Sequence, residues 1–517
     1  MSTITPYRSG LRAGRDGFAQ LLRAEWSKFR TVRGWVITMV VAALVTVLLG
    51  LLTTAGSHTS CGGASEVCPT PPLGPDGEAV DDRFYFVNRP LTGDGSITVH
   101  MTSMTGQIRV SDPDPRVRPL MPGLVPWAKA GVMIKESARQ GAPYAAVMVT
   151  GSHGVRMQHD FTHDTAGVSA TFPRWLRLTR SGDTLTGHES ADGKQWTKVG
   201  TAHLTGLPGT VRVGLFVASP SDLTVTPGTL GGSSSTARFT EATAVFDQVS
   251  LQGNVPRSAW SRDDVGLVRE ADGSPHHPGG LKESGGTYTV TGVGDIAPST
   301  DGQPVENTLS GMLAGLIVVI VVAVMFITAE YRHGLIRTTL LASPRRGRVL
   351  AAKAIVIGTV TFVAGLVAAG VTVTFGKRIL RANGNYVLPV SPLTELRVVA
   401  GTAALLAVAA VLALAMGALF RRGAVAITAA IGVIVLPHVL ATASVLPLGM
   451  AQWLVRLTPA AGFAIQQSVP EYVQVLGDYS PSRGYYPLPP WAGLAVFCGY
   501  AALALGVAVF RLRGRDA

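Results

Sequence analysis

The chain alternates between charge-free apolar runs and mixed polar stretches, and the lengths of those runs decide its class. No Lys, Arg, Asp or Glu occurs in 34–65, and 35–52 is almost wholly apolar. Further charge-free runs cover 307–329, 354–376 and 398–420. A fifth begins at Gly423 and stays apolar to about Leu448, and a last one covers roughly 491–510. Each has about 18 residues or more, roughly what a helix needs to cross ~30 Å of hydrocarbon. Six transmembrane helices are predicted, the fifth interrupted by Pro437 and His438. The first run lies after 34 residues and exceeds the apolar core of a signal peptide, so it reads as an uncleaved anchor.

Residues 55–308, between the first two spans, have a different period. Short strand-like runs recur at 130–135, 144–150, 175–180, 184–188, 195–199, 211–217 and 244–251, separated by turn signals. Asp192-Gly193 is a hairpin signal because both positions tolerate positive φ. Regular short strands with Gly-rich turns predict an antiparallel β-sandwich over about 81–253. The more polar 254–305 carries further strands around 285–298, and 302–308 reads as a tether into the second span. The expected fold is therefore an α-helical polytopic membrane protein with an inserted antiparallel β-sandwich ectodomain. Its parts are an amphipathic cytoplasmic segment (1–34), a first span (35–54), the outside region (55–308) and five further spans (309–517).

Composition excludes other classes. Hydrophobic residues make up 47% and charged residues 15%, the reverse of a disordered chain. Three cysteines in 517 residues exclude a disulfide scaffold. A net charge of +12 raises nucleic acid as a partner, but its distribution argues otherwise. The flanks and loops on the N-terminal side of the predicted membrane hold 18 basic and 4 acidic residues, or +14; 55–308 carries −5 and the remaining loops +3. By the positive-inside rule both termini are expected in the cytoplasm, Lys377, Arg378 and Arg381 being exceptions. The charge suggests contact with anionic headgroups and gives no support to nucleic-acid binding.

Within the outside region, AGVMIKES (130–137), GVRMQHD (154–160) and WLRLTRSGDTLTGHESADGKQWTKVG (175–200) resemble the concanavalin/laminin-G-like sandwich superfamily. Some members of that superfamily bind glycans. Trp175 and Trp196 are thus candidates to stack on a sugar, hairpin packing being the stronger reading. Asp160, Asp164, Asp192 and Asp222 lack EF-hand spacing, so no metal site is expected. Cys61 and Cys68, six residues apart in a Gly/Pro-rich stretch, permit a local disulfide, two free thiols being the alternative. Cys498 is expected to pack as a small apolar residue inside the last span.

The stretch ITAEYRHGLIRTTLLASPRRGRVLAAK (327–353) is the most informative. Physically, 330–341 suits a short amphipathic helix at the inner interface. It resembles the segment after the second span in ABC-type permeases of the type-2 exporter class, in their actinobacterial form. Glu330, Tyr331, Arg332, Gly334, Arg337, Pro344, Arg345, Arg346 and Lys353 are among the matches, and Leu335 replaces a usual Thr. LLRAEWSKFRTVRGW (21–35) resembles the amphipathic N-terminal helix of that class. The resemblance implies that the N-terminal helix, through Glu25, Lys28 and Arg30, and a coupling loop at 329–353, through Glu330, Arg332, Arg337, Arg345 and Arg346, contact a cytoplasmic ATP-binding-cassette subunit. Headgroup anchoring is the competing role, above all for Arg345 and Arg346.

The chain has no motor of its own, because no G-x-x-x-x-G-K-[ST] occurs. No cofactor is expected on it; ATP and Mg are expected on the partner subunit. No catalytic constellation appears, so no enzyme is expected. Six spans suggest a half-transporter acting as a homodimer or heterodimer, and Gly311 and Gly315 form a G-x-x-x-G that permits close helix approach. His438 is the one ionisable candidate inside a span. Scarce intramembrane charge disfavours proton-coupled transport of an ion and is compatible with an apolar or amphipathic substrate, an amphipathic one being expected. A membrane-anchored glycan-binding or adhesion protein is the alternative, although one span would suffice for anchoring.

Overall fold

The computed structural model describes residues 17–60, 70–110, 119–169, 172–227, 233–256, 258–269, 273–276, 278–332 and 346–514. Six helices in it are long and apolar enough to cross a membrane. An amphipathic helix, α1 (Phe18–Thr31), precedes them and buries Glu25 and Phe29. Val32, in extended conformation, turns the chain into α2 (Arg33–Ala55). After the β domain come α3 (Met312–Arg332), α4 (Arg346–Ala382), α5 (Pro392–Phe420) and α6 (Gly423–Thr442). A short helix, α7 (Leu448–Leu457), and a 3-10 segment (Pro459–Gln466) lead to α8 (Pro490–Gly514).

Local chemistry sets several boundaries. At the start of α5, Ser391 Oγ accepts a hydrogen bond from Thr394 N–H and Pro392 occupies the first turn, where it costs no hydrogen bond. The helix ends on Arg421 in the left-handed region. Pro437 sits within α6, and the helix continues past it to Thr442. α3 and α5 form the centre of the bundle, each with 61% of its apolar window buried, against 22% for α2. The exposed faces of α2 and α8 carry Leu48, Leu52, Leu503 and Phe510, a pattern suited to lipid. Cys498 lies on this exposed surface of α8 and does not pack inward as expected.

Gly311 and Gly315 are used within the chain. A Cβ on Gly311 would meet the α2 backbone at Gly50, and one on Gly315 would collide with the Thr46 side chain. The small-residue motif therefore seats α3 against α2.

The β domain is a network of antiparallel strands organised by one long strand, Phe84–Arg109. Its first half pairs with Thr210–Ala218 on one edge and Ser261–Val265 on the other. Its second half pairs with Arg174–Ser181 and Thr240–Asn254. The strand thus passes from one layer of the sandwich to the other. The principal core, including Val87, Ile97, Val132, Val147, Leu176 and Phe246, is buried between the layers. The 254–305 stretch contributes three strands to the same network, Ser261–Val265, Gly280–Ser284 and Thr287–Gly292. They are polar because only one face of each meets the core.

Both connections between sandwich and helices are pinned by buried lysines at the ends of strand Lys129–Lys135. Lys135 Nζ donates to Asp82 Oδ2 at 2.8 Å on the way in from α2. Lys129 Nζ donates to Asp295 Oδ1 at 2.6 Å and to the Ile296 carbonyl on the way out to α3. Both lysine side chains are fully buried. Burial pulls the Lys135 ammonium down while Asp82 opposes it. Further contacts fix the seam. Gln474 Nε2 donates to the Phe161 carbonyl, and Asn385 Oδ1 accepts from Ser57 Oγ and Thr59 Oγ1.

Candidate functional site

At the α1 end of the bundle three helices meet over a compact set of charges. Glu25 and Lys28 stand three residues apart on one face of α1. Glu330 is in the last turn of α3, and Lys353 lies about two turns into α4. Lys353 Nζ donates to Glu25 Oε2 at 2.6 Å and to Glu330 Oε1 at 2.7 Å. Lys28 Nζ donates to Glu25 Oε1 at 2.9 Å and to Glu330 Oε1 at 3.2 Å. Two ammoniums thus balance two carboxylates. The Phe326 ring lies 4.7 Å from Lys353 Nζ and closes the apolar side.

Burial grades across the set. The side chains of Lys353 and Glu25 are 0% and 1% exposed, while that of Lys28 is 43% exposed. Burial would draw Lys28 down, but the Glu25 and Glu330 carboxylates outweigh it and hold it above the usual lysine range. The inner three charges form a buried triad, which is strongly destabilised if one member loses its partner. Mechanically, the triad makes α1 and the ends of α3 and α4 one unit.

Three coupling candidates, Glu25, Lys28 and Glu330, converge here. Lys353, a match in the motif but absent from the candidates, is the centre of the set. Its sequence signal was its place at the mouth of an apolar run, where a lone ammonium needs a carboxylate. Arg30 is exposed on α1. Arg346 Nη1 donates to the Leu512 carbonyl at 2.7 Å and so ties α4 to the end of α8. Arg332 ends α3, with only its backbone described. Arg337, Arg345, most of the 329–353 loop, Cys61 and Cys68 lie outside the described residues.

At the opposite end a cavity of about 870 Å³ opens between the sandwich and the helices. His438 lines its membrane side, stacked on Phe463 with ring centroids 3.7 Å apart and planes 11° apart. His438 Nδ1 is buried without a hydrogen-bond partner. Gln466 Nε2 donates to Thr402 Oγ1 at 3.0 Å nearby. Glu306, just before α3, accepts from Ser468 N–H at 3.0 Å and from the Ser468 hydroxyl.

The tryptophans are engaged by their own chain. Trp175 lies 4.8 Å from the His100 ring and against Gly193, where a Cβ would meet its indole at 2.9 Å. The Arg177 guanidinium sits 3.8 Å over the Trp196 ring. Asp164 pairs with Arg156 and Asp222 with Arg238. Asp192 caps its hairpin: hydrogen bonds from the Gln195 and Lys194 backbone hold its carboxyl down to about 2. Asp160 Oδ1 accepts from Tyr144 N–H. Among the described residues no cluster of three or more His, Cys, Asp or Glu is arranged to hold a metal.

A family model described as ABC-2 family transporter protein matches residues 156–517, more than half of the chain. No curated protein matches. Among solved structures, a functionally unknown protein from Saccharomyces cerevisiae is 15% identical, over 34% of this chain and 76% of that one, with a TM-score of 0.19. SCP-B, a member of the Eqolisin family of peptidases in complex with the tripeptide Ala-Ile-His, is 7% identical, over 41% of this chain and 98% of that one, with a TM-score of 0.22. At those scores neither likeness bears on the fold or chemistry of this chain.

Proposed function

The chain belongs to the ABC-2 transporter family, and from that premise we propose that it is the membrane subunit of an ATP-driven exporter. The family is a membrane component of ABC transporters and implies an ATP-binding-cassette subunit as partner. In this reading that subunit binds ATP and Mg in the cytoplasm, next to α1 and the 329–353 loop. Both termini then lie on the same side. The exported compound is amphipathic, and the chain works as a homodimer or heterodimer.

The observation that carries the reading is the triad of Glu25, Glu330 and Lys353. A surface helix that merely anchors to headgroups needs no buried ion pair to the spans. A helix that passes on force does. Pulling α1 away would break the Lys353–Glu25 and Lys28–Glu330 ion pairs and leave Lys353 with Glu330 as its one carboxylate in the set. Displacement of α1 by the partner is therefore cheaper if α3 and α4 follow. Arg23, Lys28 and Arg30 remain exposed on α1 to meet the partner or the headgroups. The test is purification of the tagged chain from its native membrane: the reading expects an ATP-binding subunit to be retained, and its consistent absence overturns the reading.

A further inference from the structure

We propose that the cavity between the sandwich and the helices binds a cationic amphiphile, which names the substrate class of the export path. The inference rests on the exporter reading for its purpose, but the binding itself needs no ATP.

Charge comes first. Five carboxylates line the cavity (Asp81, Asp295, Asp301, Glu306 and Asp478), against two guanidiniums, Arg83 and Arg483. Arg83 lies 3.3 Å from Asp81, Arg483 3.6 Å from Asp478, and Lys129 reaches Asp295 from within the sandwich. Among the described residues, Asp301 and Glu306 have no cation within ion-pair distance. Arg397, the basic residue acting on Glu306, donates instead to the Gln467 carbonyl. Burial pushes the Asp81 carboxyl up, and the carboxylates of Asp295 and Asp301 add to the rise while Arg83 opposes it. Burial likewise pushes Glu306 up against its Ser468 hydrogen bonds. Both shifts come first from burial, and at Asp81 the neighbouring carboxylates add to it; an incoming cation would favour the charged form of each.

Aromatic rings also contribute to the wall. Phe463, Tyr485 and Tyr486 line it, with His438 stacked on Phe463. Aromatic faces beside carboxylates favour a cation that carries an apolar body. The buried, unpartnered Nδ1 of His438 is a second, independent observation that points to a ligand at the membrane side. A volume of about 870 Å³ suits a compact molecule, since pockets for such ligands are roughly 300–1,000 Å³. An anion of the same shape would meet the uncompensated carboxylates.

The experiment uses the full chain in phosphatidylcholine nanodiscs, with equilibrium dialysis against tetraphenylphosphonium. Tetraphenylborate serves as the anion of matching shape, and empty discs as the blank. Saturable binding of the cation, with none of the borate, is expected. Asp301 is exposed, so Asp301→Asn should leave the fold intact and weaken the cation by about tenfold. Adding Glu306→Gln should weaken it further. Equal retention of both ions, or unchanged affinity in Asp301→Asn, overturns the proposal. If that happens while an ATP-binding subunit still co-purifies, the exporter reading stands and the cavity assignment alone falls. Cation binding by a chain that retains no such subunit upholds the cavity and overturns the exporter reading.

Discussion

Lys353 Nζ lies 2.6 Å from Glu25 Oε2, although 328 residues separate them in the chain. One residue opens the third span and the other faces inward from a surface helix. Their pairing, shared with Glu330, fixes where α1 docks. Each charge is tolerable at this depth only because the others are present.

Lys353→Met leaves Glu25 and Glu330 buried with only the half-exposed Lys28 to offset them. A loss of about 3–5 kcal/mol is expected, seen as a lower unfolding temperature of the detergent-solubilised chain. The double variant Glu25→Gln, Lys353→Met restores balance between Lys28 and Glu330 and should recover part of that loss. Additive losses in the double variant would show that the three charges are not one unit.

The same logic applies at the seam. The side chains of Lys135 and Asp82 are both fully buried, so Lys135→Met strands a carboxylate. The β domain should lose about 3–5 kcal/mol and open to proteolysis near 70–82, with the helical bundle intact. Unaltered protease resistance would mean that Asp82 is satisfied by the Gly141 N–H alone.

Glu78, on the segment entering the sandwich, should give the chain a pH-dependent seam. Burial, with smaller contributions from Asp76 and Asp160, pushes its carboxyl up to about 6. The folded state then holds the proton more tightly than the unfolded chain, whose glutamate titrates near ~4.3. The contribution of this group is greatest below about pH 4, is lost as pH rises through about 6, and is flat above. Glu78→Gln removes the cost, so at pH 7.5 it should stabilise by about 1 kcal/mol, the side chain being only half-buried. Thermal unfolding from pH 4 to 8 decides: parallel curves for the two chains would contradict this.

The spans were legible because hydrocarbon thickness imposes a length that soluble elements seldom reach, and the structure has helices at all six runs. Strands 144–150 and 211–217 were legible for the same kind of reason, a local period. Phe84–Arg109 was not. It changes layers midway, and Asn88, Thr92 and Asp94 break any alternation. No local pattern marks Lys129 and Lys135, at the two ends of their strand, as buried, yet each is paired with an aspartate more than 50 residues away. Glu25, Lys28 and Glu330 emerged as coupling candidates through family resemblance, whereas Lys353 matched the motif without being counted among them. The cavity has no contiguous motif, since residues from Asp81 to Tyr486 meet there only on folding.

Vanadate-sensitive ATP hydrolysis by the partner subunit, measured alone and with the reconstituted chain, bears most directly on energy coupling through α1. The wild-type chain should raise hydrolysis, and the Glu330→Gln chain, inserted to the same level, should raise it less. Hydrolysis that ignores the wild-type chain, or rises equally with Glu330→Gln, would contradict coupling through Glu25, Glu330 and Lys353.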